Sequence, residues 1–218
     1  MDFTETEEQN MIREMVRGFA EETLAPTCLE RDREQRAPLE EWLEFCNATG
    51  LQGVTIPEEY GGNQVDSVSE SIIVEELARV DPSFSVMYCV HVGLCSMTIA
   101  LHGNEEQKNQ YLPRLAGNEI GAYSLSEAGA GTDAAALGCK AKISEDGSHY
   151  ILNGEKMWVT NGSSADIYSF SPRMWTIRNL EKRSMAELRH LSSRRHLRDS
   201  QSERRRINWE YAPAILAR

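Results

Sequence analysis

The stretch Tyr123-Ser124-Leu125-Ser126-Glu127-Ala128-Gly129-Ala130-Gly131-Thr132-Asp133 decides how this chain is read, together with its echo at Trp158-Val159-Thr160-Asn161-Gly162. Its first half enters as a short alternating strand. It then breaks into a loop where Gly129 and Gly131 remove the side chains that would keep a flat ligand off the backbone. Such spacing exposes peptide N–H groups and permits close approach. Hydroxyls stand at Ser124, Ser126 and Thr132, and a carboxylate at Glu127. As a bare pattern this is weak, because a surface turn with two glycines is commoner than a ligand loop. The surrounding chain changes the balance.

Working outward, the grammar differs on the two sides of residues 117–119. Before them the pattern is helical. Residues 4–24 place Ile12, Met15, Val16, Phe19 and Ala20 on one face, with Thr4 as the expected cap. Arg31 to Arg36 reads as a solvated connector. A second helix from Pro38 carries Leu39, Trp42, Leu43 and Cys46 at helical spacing and stops at Gly50. Asp66 or Ser67 caps a third helix. Pro82 opens a fourth, over about 83–101, apolar nearly all round. Its length suits a membrane span, but Ser85, His91, Ser96 and Thr98 interrupt it and no basic flank follows, so a buried bundle helix is expected. His91 is expected to be a core histidine, since no second ligand stands at i+3 or i+4. Asn104 caps a fifth helix that Pro113 and Gly117 end.

After residue 119 the period is two: residues 120–126, 139–143 and 150–152 read as strands. Asn153-Gly154 predicts a hairpin turn, with 155–160 as the returning strand. The expected organisation is α+β: an all-helical bundle over 1–117, an incomplete antiparallel β-barrel over 118–170, and an irregular basic tail over 171–218.

Composition sharpens the last boundary. The chain has 218 residues and a net charge of −11. Residues 1–170 hold 11 Lys+Arg against 29 Asp+Glu, whereas 171–218 hold 12 against 5, and 11 of those 12 are arginine. All 15 glycines precede residue 163. Two compositions are joined near residue 170, which suggests a reading-frame change or rearrangement there and a truncated protein. The tail's arginines lack interleaved aromatics on a regular face and follow an acidic body, which argues against a nucleic-acid arm. Five scattered cysteines without a C-x-x-C pair indicate neither zinc nor a disulfide framework. With an acidic N-terminus that does not resemble a signal peptide, they point to a cytoplasmic setting.

With these elements placed, the sequence resembles the acyl-CoA dehydrogenase family. The motifs that carry it are Leu112-Pro113-Arg114-Leu115-Ala116, the Tyr123–Asp133 stretch, and Leu152-Asn153-Gly154-Glu155-Lys156-Met157-Trp158-Val159-Thr160-Asn161-Gly162. The resemblance covers residues 1 to about 168. Ala128 stands where the family often has proline. The resemblance implies an oxidoreductase of fatty acid metabolism, a flavoprotein that takes an acyl-CoA to the 2,3-enoyl-CoA with FAD. Its usual acceptor is an electron-transferring flavoprotein, and the intact family is homo-oligomeric. It further implies that Tyr123, Ser124, Leu125, Ser126, Glu127, Ala128, Gly129, Ala130, Gly131 and Thr132 line the flavin, that Thr132 also reaches the acyl-CoA, and that Trp158, Val159 and Thr160 lie beside the ring. The family's glutamate base belongs to a C-terminal bundle and has no counterpart here, so no catalytic residue is named. Neither metal, nucleic acid nor membrane is expected as a partner. A non-catalytic fragment is the alternative.

Overall fold

The computed structural model describes residues 4–144, 149–171, 173–174 and 214–216, the last two segments as backbone only. The first part is helical: α1 Glu7–Phe19, continued by a π-helical turn Ala20–Leu24; α2 Cys28–Glu34; α3 Leu39–Thr49; α4 Ser67–Val80; α5 Pro82–Cys89, running through a π-helical stretch Val90–Ser96 into α6 Met97–His102; and α7 Glu105–Ala116.

The starts are set by side chains that satisfy orphan N–H groups. Thr6, not Thr4, caps α1 and forms a reciprocal capping box with Gln9. Asn104 and Gln107 repeat the device on α7. Asp66 accepts from the N–H groups of Val68 and Ser69, and Asp81 caps α5 with Pro82 in the first turn. Gly50 ends α3 in the left-handed region at φ 67°. Helix α7 runs through Pro113 to Ala116 rather than ending at the proline.

The core is an aromatic cluster. Phe45 makes edge contacts with Phe19 at 5.2 Å, Tyr88 at 5.5 Å and Phe84 at 5.6 Å between ring centroids. Trp42 is wholly buried beside them. The apolar face of α3 is Trp42, Phe45 and Cys46, while Leu39 and Leu43 remain partly exposed. The long apolar segment Pro82–His102 meets the length and hydropathy of a membrane span, and 56% of its most apolar window is packed inside the protein.

Arg31 corrects the solvated-connector reading. It lies in α2 at 3% exposure, bonded to Thr27, to Glu41 at 2.8 Å and to Asp81.

The strands are β1 Gly121–Ser124, β2 Lys140–Ile143, β3 Tyr150–Asn153, β4 Ile167–Phe170, β5 Arg173–Met174 and β6 Ala214–Leu216. They form two three-stranded sheets, ordered β1-β4-β6 and β3-β2-β5. The expected antiparallel barrel is therefore corrected among the described residues. Pairs β1·β4, β4·β6 and β2·β5 are parallel, and β2·β3 alone is antiparallel. The hairpin also moves. Chain reversal lies between Ile143 and Tyr150, and residues 155–160 make no strand. Gly154 has a different job. A Cβ there would sit 2.5–2.8 Å from Cys139, at φ 143°, so glycine is needed for close approach. Most of the basic tail lies outside the described residues.

His91 joins the two parts. Its ring is fully buried, with Nε2 donating to the Gln52 carbonyl at 3.1 Å and Nδ1 accepting the Gly121 N–H at 3.0 Å. It is the satisfied core histidine expected, and it fixes β1 against the helices. Gly121 permits that approach, since a Cβ there would meet Cys95 at 2.7 Å.

Candidate functional site

Strand β1 delivers the chain into the glycine loop. Tyr123 is half-buried, with its hydroxyl 3.1 Å from Ser171 Oγ. Ser124 is buried and its hydroxyl has no partner among the described residues. Glu127 and Ala130 exchange backbone hydrogen bonds of 3.0 and 3.1 Å, which folds Ala128-Gly129 into a tight turn. Ala128, Gly129, Gly131 and Thr132 lie exposed, and no bond partner is present for their N–H groups among the described residues. A Cβ at Gly129 or Gly131 would meet nothing within 4 Å. The space beside this backbone is open, so internal packing does not account for either glycine.

The second segment is bonded to the first. Met157 N–H donates to the Ser126 carbonyl at 2.9 Å. Lys156 Nζ donates at 2.7 Å to the Leu125 carbonyl and at 2.7 Å to Glu127 Oε1. A third bond of 2.7 Å reaches the Ser171 carbonyl. Glu127 also accepts from Gly138 N–H at 2.6 Å and Cys139 N–H at 3.0 Å. Burial pushes the Glu127 carboxyl up, but Lys156 and the two N–H groups outweigh it and hold the pKa below the ordinary carboxylate value.

Trp158 is the most unusual residue here. It is 84% exposed and sits at φ 58°, the left-handed region that a bulky side chain rarely occupies. It is not a packing residue of the β region. Asn161, at φ 65°, pins the turn. Its amide donates to the Met87 carbonyl at 3.0 Å and to the Gly121 carbonyl at 2.9 Å. Val159 accepts from Gly162 N–H at 2.9 Å, and Thr160 lies half-buried in the same turn.

Of the expected site residues, then, the structure ties Leu125, Ser126 and Glu127, through Lys156 and Met157, to the segment that continues into Trp158, Val159 and Thr160. Ala128, Gly129, Gly131, Thr132 and Trp158 face outward. The carboxylate and N–H of Glu127, the carbonyls of Leu125 and Ser126, and the N–H of Ala130 are used internally. Sequence reasoning missed Lys156 and Asn161. Asn161 lay inside the quoted motif, but nothing in a single sequence marks Lys156 as buried.

The exposed parts offer four amide donors without a partner among the described residues, the Thr132 hydroxyl and the Trp158 indole. Such a bed suits a planar, polar-edged ring system and is what an oxidoreductase cofactor of that shape requires. The model of the acyl-CoA dehydrogenase N-terminal domain matches residues 6–119, and that of the middle domain matches residues 122–189, past the limit of the resemblance drawn from motifs. The chain belongs to the acyl-CoA dehydrogenase family.

A short-chain-specific acyl-CoA dehydrogenase of Clostridium acetobutylicum is 43% identical over 169 residues, covering 77% of this chain and 44% of the relative. A chain in the solved structure of the electron transferring flavoprotein of Acidaminococcus fermentans superposes at TM-score 0.74 with 43% identity, covering 78% of this chain and 44% of that one. An acyl-CoA dehydrogenase from Bacillus anthracis complexed with FAD gives TM-score 0.71 and 36% identity, covering 78% and 30%. The chain spans less than half the length of these relatives.

Proposed function

We propose that this chain carries the flavin-bed portion of an FAD-dependent acyl-CoA dehydrogenase, whose reaction is α,β-dehydrogenation of an acyl-CoA thioester to the 2,3-enoyl-CoA. The observation that carries it is the 2.9 Å bond from Met157 N–H to the Ser126 carbonyl, which ties the segment bearing the exposed, left-handed Trp158 to the glycine loop. Residues so held cluster at ligand sites, where a bound group repays the strain. The residues present fit FAD, which when bound supplies the hydride acceptor. The N–H groups of Ala128, Gly129, Gly131 and Thr132 would hold its polar edge, donors suited to charge that develops on a reduced ring. Trp158 would cover one side of the bed and exclude water, Thr160 would donate a hydrogen bond nearby, and Thr132 would also contact the acyl-CoA. An electron-transferring flavoprotein as acceptor, a homo-oligomer and a cytoplasmic setting belong to the same reading.

No proton-abstracting residue is assigned. Glu127 is fully engaged, and Asp133 accepts Ala135 N–H at 3.2 Å to cap the following turn. Their engagement favours a second reading: a chain that binds flavin and does not turn over, with residues 1–117 and 118–170 as family parts, the family match running on to residue 189 and the rest of the tail lying outside it. Translating the neighbouring frames of the coding DNA beyond codon 170 tests the origin of that tail. A strand-rich, then helical continuation in another frame supports a frame change, and its absence refutes one.

The functional test is spectroscopic. The purified chain, alone or on addition of FAD, should acquire a bound-flavin absorption spectrum. Bleaching by an acyl-CoA would establish catalysis; a stable yellow complex would establish the second reading. Protein that stays colourless in excess FAD would refute the cofactor assignment.

A further inference from the structure

We propose that the buried Lys156–Glu127 pair is a positioning device that sets the two segments of the bed at one spacing, a role that rests on the flavin reading above. The Lys156 side chain is 1% exposed. An ammonium has three N–H donors, and here each has one acceptor at 2.7 Å: the Leu125 carbonyl, the Ser171 carbonyl and Glu127 Oε1. No donor remains to contact a cofactor. Glu127 is equally committed. Its Oε1 takes Lys156 and Cys139 N–H, and its Oε2 takes Gly138 N–H at 2.6 Å and Cys139 N–H at 3.2 Å. The polar atoms of both side chains are thus spent within the chain itself, and they join the glycine loop to the segment before Trp158, to the start of β2 and to the end of β4.

The connections are specific. Leu125 and Glu127 flank Ser126, whose carbonyl receives Met157 N–H. One residue further on stands Trp158. On the other side, the Gly138 and Cys139 amides lead into β2, and Ser171 follows β4, with Lys156 Nζ 5.3 Å from the centroid of the Phe170 ring. Removing the ammonium would leave a carboxylate and two carbonyls without their donor in a buried space, which the loops can relieve only by moving apart or admitting water. Because a bed for a rigid ring tolerates little displacement, the cost falls on binding geometry.

The experiment uses the full chain and the variants K156M and E127Q. The first readout needs no cofactor: amide hydrogen exchange at Met157, Gly138 and Cys139 should quicken at least about tenfold in K156M, while exchange in Ser67–Val80 stays as in the wild type. The second is FAD titration followed by visible circular dichroism. The dissociation constant should rise on the order of 10- to 100-fold, and the bound-flavin spectrum should change shape, since ring and indole no longer meet at one geometry. E127Q keeps the shape of the side chain and should show the same changes to a smaller degree, which covers the case of K156M failing to fold. Wild-type exchange, affinity and spectrum in both variants would overturn the positioning role while leaving the flavin reading intact. A wild-type chain that binds no FAD would overturn both.

Discussion

Arg31 and Lys156 are both buried cations met by carboxylates, and they do opposite things. Arg31 ties α2 to Glu41 on α3 and to Asp81 at the start of α5. Its partners are buried with it, and one oxygen of Glu41 lacks a partner among the described residues. Lys156 ties two loops, and just beyond its partners the chain is open: bare amides on one segment, an indole in water on the other. The same device closes a core in one half and holds a surface open in the other. A buried charge shows where geometry is specified, and the unsatisfied groups beside it show whether that geometry serves the fold or a ligand.

Breaking the helical pair should give the larger effect on stability. R31M leaves Asp81 and Glu41 buried without their cation, and the expected loss is about 3–5 kcal/mol in urea unfolding. W42A, which empties the centre of the aromatic cluster, should cost about the same, 3–5 kcal/mol. Either variant unfolding within about 1 kcal/mol of the wild type would show that the helical half is not the rigid part.

That contrast also marks what a sequence reveals. Helix placement and the caps at Asp66 and Asn104 follow from local pattern, since each depends on neighbours within a few residues, whereas any joint role for Tyr123–Thr132 and Trp158–Thr160 comes only from the family resemblance. Arg31 does not, because its partner Asp81 is fifty positions away, and a run such as Arg-Asp-Arg-Glu looks solvated by composition. The parallel pairing of β1 with β4 is hidden for the same reason. Asn153-Gly154 misleads in another way: the glycine that normally signals a turn is there because Cys139 comes too close for a Cβ. The residues 155–160 fail as a strand because Lys156 turns inward to the loop and the left-handed Trp158 breaks the alternation.

His91 offers a test of the joint between the halves. Burial holds its pKa down from 6.5 to about 4. In the unfolded chain the ring takes a proton near pH 6.5, whereas in the folded chain it stays neutral until about pH 4. The unfolded state therefore binds more protons in between, and stability is full above pH 6.5 and falls as pH drops toward 4. The loss is about 3 kcal/mol across that window. A second, lower limb belongs to Glu76, whose pKa the Arg17 guanidinium, with Arg13 and Arg79, draws down from 4.5 to about 2. H91Q retains a donor for the Gln52 carbonyl and an acceptor for the Gly121 N–H while removing the titration. Its unfolding free energy should be flat between about pH 6.5 and 5.5, above the range where the carboxylates contribute, and an unchanged slope there would assign that limb to other groups.

The smallest stability effect is expected at the most conspicuous residue. Trp158 is exposed and strained, so it buries little that unfolding would release. W158A should unfold within about 0.5 kcal/mol of the wild type. W158G should do no worse, because the relief of the left-handed conformation, about 1 kcal/mol, offsets the extra freedom glycine gives the unfolded chain. The same two variants should lose the bound-flavin spectrum. The pairing of W42A with W158A thus separates two tryptophans that a hydropathy scale treats alike, one essential to the fold and indifferent to solvent, the other indifferent to the fold. If W158A destabilised the chain as W42A does, the indole would be a packing element after all, and the open surface beside Lys156 would have to be explained without a ligand.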